Sequence, residues 1–396
     1  MIHNCLACGG ILGEPFFSIP DLPLVDSFSF TKVQALSVPT YTIDLCQCVT
    51  CKTIQVASPP DTSAIYQNYI YESSSSPDLL NHFSSYAQFV SSIASSLDKP
   101  ILEIGANDGL LISQLLKVGF KNVYAVDPSP QTALISFPGV TVINNFFSPE
   151  VVDNLENNSF SVIIANNCFS HIPNLSSILS LCKNLLTHNG VLIVEVQSTL
   201  DLIEGVVFDY IYHEHYFYHT IISFDLLASV SGLEIFSVQH VPTKGGSYRL
   251  LLGRPGFHPI DGSVSYWKYR EKISSVNTIA PWKEMQDYLA STKQRLQKFI
   301  IESKLPLFGY GASATGTVFL RYMGIEDSIH SIVDDNTKRQ NTFAPGSGLP
   351  VVSLSSIPSS QQAIILAWRH ASLIIPKLKL AGIPYLVPLP YMVTHG

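Results

Sequence analysis

Ile101-Leu102-Glu103-Ile104-Gly105-Ala106-Asn107-Asp108-Gly109 is the stretch on which the fold turns. Its first four residues read as a short buried strand, and the glycines after them as a tight turn opening a helix, the place where open α/β sheets bind nucleotides. Outward from it, apolar runs alternate with longer periodic segments: Val123-Tyr124-Ala125-Val126, Ser161-Val162-Ile163-Ile164-Ala165 and Val191-Leu192-Ile193-Val194-Glu195. Such near-continuous apolar runs predict parallel strands of a doubly wound sheet with helices between them. A second set, Pro306-Leu307-Phe308, residues 329–333, residues 363–366 and Tyr385-Leu386-Val387, predicts a smaller α/β unit. Gly245-Gly246 and a charged helical stretch at 282–299 read as the connector between the two, and no internal repeat is visible.

The loop chemistry is not that of a dinucleotide fold. A pyrophosphate is held by bare backbone N–H groups in a G-x-G-x-x-G turn, whereas here Glu103 and Asp108 put carboxylates beside the turn. An acidic loop suits a cationic ligand. S-adenosylmethionine carries a sulfonium and an amino group, and Asp127, closing the next strand in Val126-Asp127-Pro128, is placed to accept both ribose hydroxyls. A plain turn with a helix cap at Asn107 or Asp108 explains the glycines, but not Glu103 and Asp127 together.

The chain has 396 residues, which at roughly 100–200 per domain predicts two or three domains. Only 13% of the residues are charged, about half the usual fraction, and 46% are apolar, which excludes intrinsic disorder. A net charge of −7 with no Lys/Arg run gives no footprint for a phosphate backbone, so nucleic acid is not an expected partner. The longest apolar stretches, such as 363–368, fall far below the roughly 20 residues a membrane span needs. The N-terminus lacks a basic region followed by an apolar one, so a cytoplasmic protein with no membrane partner is expected.

Five of the seven cysteines lie in the first 51 residues, and Cys5-x-x-Cys8 and Cys48-x-x-Cys51 have metal spacing. Two such knuckles supply the four thiolates of a structural zinc, a closed site that staples a small module and leaves no position for catalysis. Cys46 could replace Cys48, although Cys46 to Cys51 makes a long knuckle. Cys168 and Cys182 sit in apolar surroundings and read as core. Ala57-Ser58-Pro59-Pro60-Asp61 breaks the chain, giving a zinc module at 1–60, a cofactor domain at 61–240 and a C-terminal α/β domain at 241–396.

Between residues 208 and 219 the chain concentrates three His, four Tyr and two acids: Phe208-Asp209-Tyr210-Ile211-Tyr212-His213-Glu214-His215-Tyr216-Phe217-Tyr218-His219. Histidine beside a carboxylate is the usual equipment for removing a proton near neutral pH. In an extended segment His213 and His215 share one face, so two metal ligands are the second reading. His171, just after a strand in Asn166-Asn167-Cys168-Phe169-Ser170-His171, points to the same end of the sheet.

With these strings in hand the chain resembles the sugar C-methyltransferases, S-adenosylmethionine-dependent enzymes acting on nucleotide-linked keto-deoxysugars. The likeness rests on the two C-x-x-C pairs, the Glu103 to Gly109 loop, Val126-Asp127-Pro128, Tyr212-His213-Glu214-His215, Gly245-Gly246-Ser247-Tyr248-Arg249, Gly309-Tyr310-Gly311-Ala312-Ser313-Ala314 and Val333-Asp334-Asp335-Asn336. It implies a zinc module, a Rossmann-like class I methyltransferase domain and a C-terminal Rossmann-like domain that helps hold the substrate's nucleotide. The chemistry implied is deprotonation beside a ketone and attack of the enolate on the sulfonium methyl. His215 would be the base, with Tyr212 and Glu214 in its pocket and His171 and Tyr71 lining it; Tyr66 and Tyr69 compete for the register of Tyr71. On the cofactor side stand Glu103, Gly105, Asn107, Asp108, Gly109, Asp127, Pro128 and Asn166. His213, Gly246, Ser247, Arg249, Tyr310, Ser313 and Asp334 are expected on the substrate side. The oligomeric state is left open, a monomer included.

Two positions depart from the family. Thr315 follows Ala314 where the family commonly has lysine, which removes a phosphate contact, and Arg369 follows Trp368 where it usually has asparagine. Two other functions compete. Gly309-x-Gly311-x-x-Ala314 with Asp334 downstream fits a dinucleotide fingerprint and hence an NAD-dependent oxidoreductase. A zinc-stapled scaffold without catalysis is the other, and the intact Glu103, Asp127 and His215 weigh against it.

Overall fold

A computed structural model describes residues 4–60, 72–75 and 77–395, and its strands form three sheets. The first is antiparallel, with β1 (Phe17–Pro23), β2 (Thr40–Gln47) and β3 (Ile54–Val56) completed by β9 (Phe217–Tyr218) from the middle of the chain. The second has seven strands: β4 (Ile101–Ile104), β5 (Val123–Val126), β6 (Val140–Ile143), β7 (Phe160–Asn166) and β8 (Leu186–Gln197) run parallel, while β11 (Ser247–Gly253) lies antiparallel beside β8 and pairs in turn with the edge strand β10 (Glu234–Val241), which runs in the direction of the other five. The third holds β12 (Leu307–Tyr310), β13 (Ile332–Val333), β14 (Val351–Val352), β15 (Gln362–Ile365) and β16 (Tyr385–Val387) in parallel, with β17 (Val393–His395) antiparallel at its edge.

The expected α/β architecture is present, and the buried runs became the central strands because helices cover both faces; every residue of β4 and β12 is buried. The boundaries differ. A division at 240/241 falls inside β10, and the cofactor sheet runs on to Gly253 because β11 pairs with β8. The first unit likewise needs β9, whose two residues pair with β3 across more than 150 positions of sequence. The 329–333 strand shrinks to Ile332–Val333, following a 3₁₀ turn at Glu326–Ser328. The charged stretch at 282–299 is the centre of a helix, Ala280–Glu302, that buries Trp282, Met285, Leu289 and Leu296 on one face. Trp282 is wholly buried and meets Phe16, Phe17 and Tyr218 edge-on at 5.5, 6.2 and 6.2 Å, which joins the first sheet to the core of the third.

Both parallel sheets reverse strand order beside a glycine turn. β4 lies between β5 and β7, and β12 between β13 and β15, so each sheet has a crevice at the carboxyl end of that strand. Among the described residues no helix is long and apolar enough to cross a membrane.

Candidate active site

The two crevices open into one cleft of about 1180 Å³, larger than the 300–1,000 Å³ usual for a single small ligand. Gly105, Asn107, Asp127 and Asn166 line it from the second sheet, Tyr310, Gly311, Ser313 and Asp334 from the third, and His171, Tyr212, Glu214 and His215 from the segments between.

At the first crevice Gly105 turns at φ +80°, and a Cβ there would stand 2.8 Å from Cys168 Cβ, so only glycine lets the backbone pass. The carboxylate of Asp127 accepts the Asn107 N–H at 3.0 Å and the Ser129 N–H at 2.7 Å, tying two strand ends together. Glu103 is 4% exposed and its Oε2 has no hydrogen-bond partner among the described residues. Burial, with Asp127 and Asp108 nearby, pushes its pKa well above the carboxylate range. An orphaned acid in a crevice lined by backbone and a second acid fits a ligand that brings positive charge and hydroxyls, as S-adenosylmethionine does. The Nδ2 of Asn166 is similarly unpartnered among the described residues, while its Oδ1 accepts the Tyr86 hydroxyl at 3.0 Å.

His171 and His215 come together because the loop after β7 is stitched to the segment before β9: the Ser170 carbonyl accepts the N–H groups of Tyr216 and Phe217 at 2.8 and 3.2 Å. Their rings lie 5.0 Å apart, edge to face. His215 Nδ1 is 2.7 Å from the Tyr210 carbonyl, which can only accept, so the proton is on Nδ1 and Nε2 keeps its lone pair. Burial lowers the His215 pKa to about 4 and that of His171 well below the ordinary value. The Tyr212 ring lies 4.3 Å from His215. Glu214 is pushed up to about 8 by burial and by Asp26, so it is a neutral acid at pH 7 and can donate.

Several expected positions are elsewhere. His213 is fully buried with Nε2 at 3.1 Å from the Leu22 carbonyl; the chain turns at residues 213–214 instead of running extended, so His213 and His215 diverge and make neither a metal pair nor a shared substrate wall. Arg249 is 7% exposed, bonds Glu195 at 2.7 Å and stacks on Tyr86 at 4.3 Å, which makes it a buried ion pair behind the cleft. Ser247 is buried and donates to the Thr243 carbonyl, and Gly246 is turned from the cleft, which Lys244 and Gly245 line in their place. Asp108 caps the Leu110–Lys117 helix at 3.3 Å and accepts the Ser74 N–H at 2.9 Å; Gly109 and Pro128 shape the turns behind the wall. Cys182 is core, but Cys168 lines the cleft against Gly105. Tyr71 lies outside the described residues.

The sequence reading passed over His82, which lines the cleft with Nε2 at 2.8 Å from the fully buried Glu195, and Asp26, which reaches in from the N-terminal module to pair with Arg339 at 3.1 Å. An acid ending the apolar run of β8 was the available signal for the first, because a charge buried in a strand needs a partner.

Cys5, Cys8, Cys48 and Cys51 hold their sulfurs within 4.8 Å of one another, with Cys5 to Cys51 and Cys8 to Cys48 at 3.7 Å. A tetrahedron with ligands at about 2.3 Å has edges of about 3.8 Å. The N–H groups of Ala7, Gly10 and Thr50 point at Cys5, Cys8 and Cys48 at 3.4 Å each. Cys46 pairs within the first sheet and stays out of the cluster.

A doubly wound sheet with an acid-lined first crevice fits a methyltransferase. Residues 79–238 match the model of a methyltransferase domain and residues 242–390 that of a C-methyltransferase C-terminal domain, which includes the second glycine loop. The C-methyltransferase NovU of Streptomyces niveus is 23% identical over 404 residues, 98% of this chain and 96% of that protein. Among solved structures, an S-adenosylmethionine-dependent methyltransferase from Mesorhizobium loti aligns at 11% identity and TM-score 0.36 over 44% of this chain and 100% of that one. The magnesium protoporphyrin IX methyltransferase ChlM of Synechocystis PCC 6803 aligns at 16% and 0.34 over 44% and 82%. The two matched segments and the C-methyltransferase relative make this chain an S-adenosylmethionine-dependent C-methyltransferase in activity.

Proposed function

We propose that the enzyme methylates a carbon beside the ketone of a nucleotide-linked 4-keto-deoxysugar, at C-3 or C-5, with His215 removing the proton. The observation that carries this reading is the fixed tautomer of His215, which leaves Nε2 free to accept a proton inside a cleft walled by donors. A conjugate acid of pKa about 4 makes His215 a weak base, so stabilisation of the enolate oxygen must supply much of the catalysis. Protonated Glu214, Tyr212 and His171 are the donors for it, and the Nδ1 of His171, without a partner among the described residues, favours a ligand contact there. The bound cofactor supplies the electrophilic methyl. Glu103 and Asp127 hold its charge and ribose, and Tyr310, Ser313 and Asp334 face the nucleotide of the substrate.

The four-sulfur cluster is read as a structural zinc site. Its first knuckle caps the helix Leu175–Leu185, whose leading N–H groups on Asn174 and Ser176 donate to the Leu6 and Ala7 carbonyls at 2.7 and 3.0 Å, just after His171. A cytoplasmic location fits such a substrate.

The test is incubation with a panel of nucleotide-linked 4-keto-deoxysugars and S-adenosylmethionine, with mass detection of a one-methylene gain. Wash-out of substrate deuterium should be lost in His215→Ala while cofactor affinity stays. No turnover on any keto sugar, or full turnover by His215→Ala, sinks the reading.

A further inference from the structure

Arg369 belongs to the C-terminal unit, yet it reaches the segment that carries His215. Its Nη1 donates to Asp209 Oδ1, its guanidinium carbon lies 4.3 Å over the Tyr210 ring, and its side chain is 13% exposed. The neighbouring Trp368 donates Nε1–H to the other oxygen of Asp209 at 3.0 Å, and Asp209 is 1% exposed. Both carboxylate oxygens are thus used by one 3₁₀ turn, Trp368–His370, of a different sheet. Asp209 and Tyr210 belong to the 3₁₀ turn Phe208–Tyr210, and the carbonyl of its last residue, Tyr210, is the one accepting His215 Nδ1–H. The Tyr210 and His215 rings are near-parallel, 12° apart at 5.9 Å.

We propose that Arg369 and Trp368 are positioning residues: by anchoring Asp209 they fix the Tyr210 carbonyl, which in turn fixes the tautomer and tilt of His215. The C-terminal unit then does more than hold substrate, since the base is set only when that unit is docked on the 208–215 segment. Arginine suits this place, because its planar fork bonds a carboxylate while its face stacks on a ring. The proposal rests on the reading of His215 as the base, but its geometric content can be read without any substrate.

The experiment uses the full-length protein with histidine labelled by nitrogen-15, the His215 ring signals being those lost in His215→Ala. Wild type should show the Nδ1–H form in excess. In Arg369→Ala the ratio of the two tautomers should fall about fivefold or more, the worth of one hydrogen bond. Initial-rate turnover should drop about 10–100-fold with cofactor affinity unchanged, as a small misplacement of a reacting group costs. If Arg369→Ala does not fold, Arg369→Lys, which keeps the charge and gives up the stack, and Trp368→Phe, which removes one donor, should shift the ratio in the same sense by less. A folded variant of Arg369 or Trp368 with a wild-type tautomer ratio overturns the proposal. A shifted ratio in a protein inert to every keto sugar upholds it and sinks the substrate reading instead.

Discussion

At Gly105 and at Gly311 the chain makes the same turn and arms it differently. Each glycine closes a central strand at positive φ, +80° and +113°, and in each the aspartate that follows the next strand accepts two N–H groups. Asp127 accepts those of Asn107 and Ser129, and Asp334 those of Ala312 and Asn336 at 2.7 and 2.8 Å. Two residues before the glycine, the first loop has Glu103 and the second has Gly309, where a Cβ would strike Leu366 at 2.6 Å. One crevice therefore carries a buried acid with an oxygen that has no partner among the described residues, and at the same position the other has no room for one. Both crevices share the clamp, and on the proposed function the difference at one position sorts which ligand each takes.

Glu103→Gln should break the comparison most. It is expected to weaken S-adenosylmethionine binding on the order of 100-fold, the upper range for losing a charge-assisted contact, by calorimetric titration. Protons give a second readout. The pKa of Glu103 is raised in the free protein, so a cationic cofactor that favours the ionised carboxylate lowers it again, and binding measured across that titration should release protons, seen as a dependence of binding enthalpy on buffer. Wild-type affinity and proton release in the variant would remove Glu103 from the cofactor's site.

His215 stands between the crevices, and its environment makes the next effect nearly as large. Facing it are His171, Tyr210, Tyr212 and Lys244, and burial dominates the shift. A folded pKa lowered from 6.5 to about 4 favours the neutral ring, so stability from it is present above pH 6.5 and lost as pH falls toward 4. The acid limb of the turnover rate should then lie near pH 4, and a limb near 6.5 would mean that the ring is not desolvated as the structure has it. Glu214 has the opposite sign: with a folded pKa of about 8 against 4.5, its contribution fades as pH rises between those values.

Exchanging one clamp at a time separates the crevices further. Asp127→Asn should raise the cofactor dissociation constant about tenfold and leave the Michaelis constant for substrate alone, and Asp334→Asn should do the reverse. Equal effects of both variants on both ligands would show that the cleft works as one site.

The sequence made the two turns legible because glycine spacing and buried runs are local signals, and β4, β5, β7 and β8 carry them. That Glu103, Asp127 and His215 line the cleft was legible too, each being an acid or base that a plain packing role does not require. What escaped depends on contacts far apart in sequence. β9 has only two residues and exists because β3 pairs with it. Arg249 and His213 look like site residues by type, but Glu195 from another strand and Leu22 from the first sheet take them into the interior. Asp26 and Arg369 enter the cleft from units that pattern alone assigns to other tasks.

The smallest expected effect concerns charge at the second turn. Arg339, Arg369 and Lys377 all line the cleft there, and each already meets a carboxylate: Asp26 at 3.1 Å, Asp209, and Asp335 at 2.7 Å. Thr315 also lines it, its hydroxyl 3.1 Å from that of Ser313, at the position where the family commonly has lysine. Thr315→Lys adds a cation one residue into the helix Ala314–Met323, beside N–H groups that also favour an anion. If a substrate phosphate lies at this turn, the Michaelis constant should fall about two- to fivefold at low salt, less at high salt, with cofactor affinity untouched. A lysine that leaves it unchanged at every ionic strength would place the phosphates elsewhere in the cleft and leave the second turn to hold the nucleoside alone.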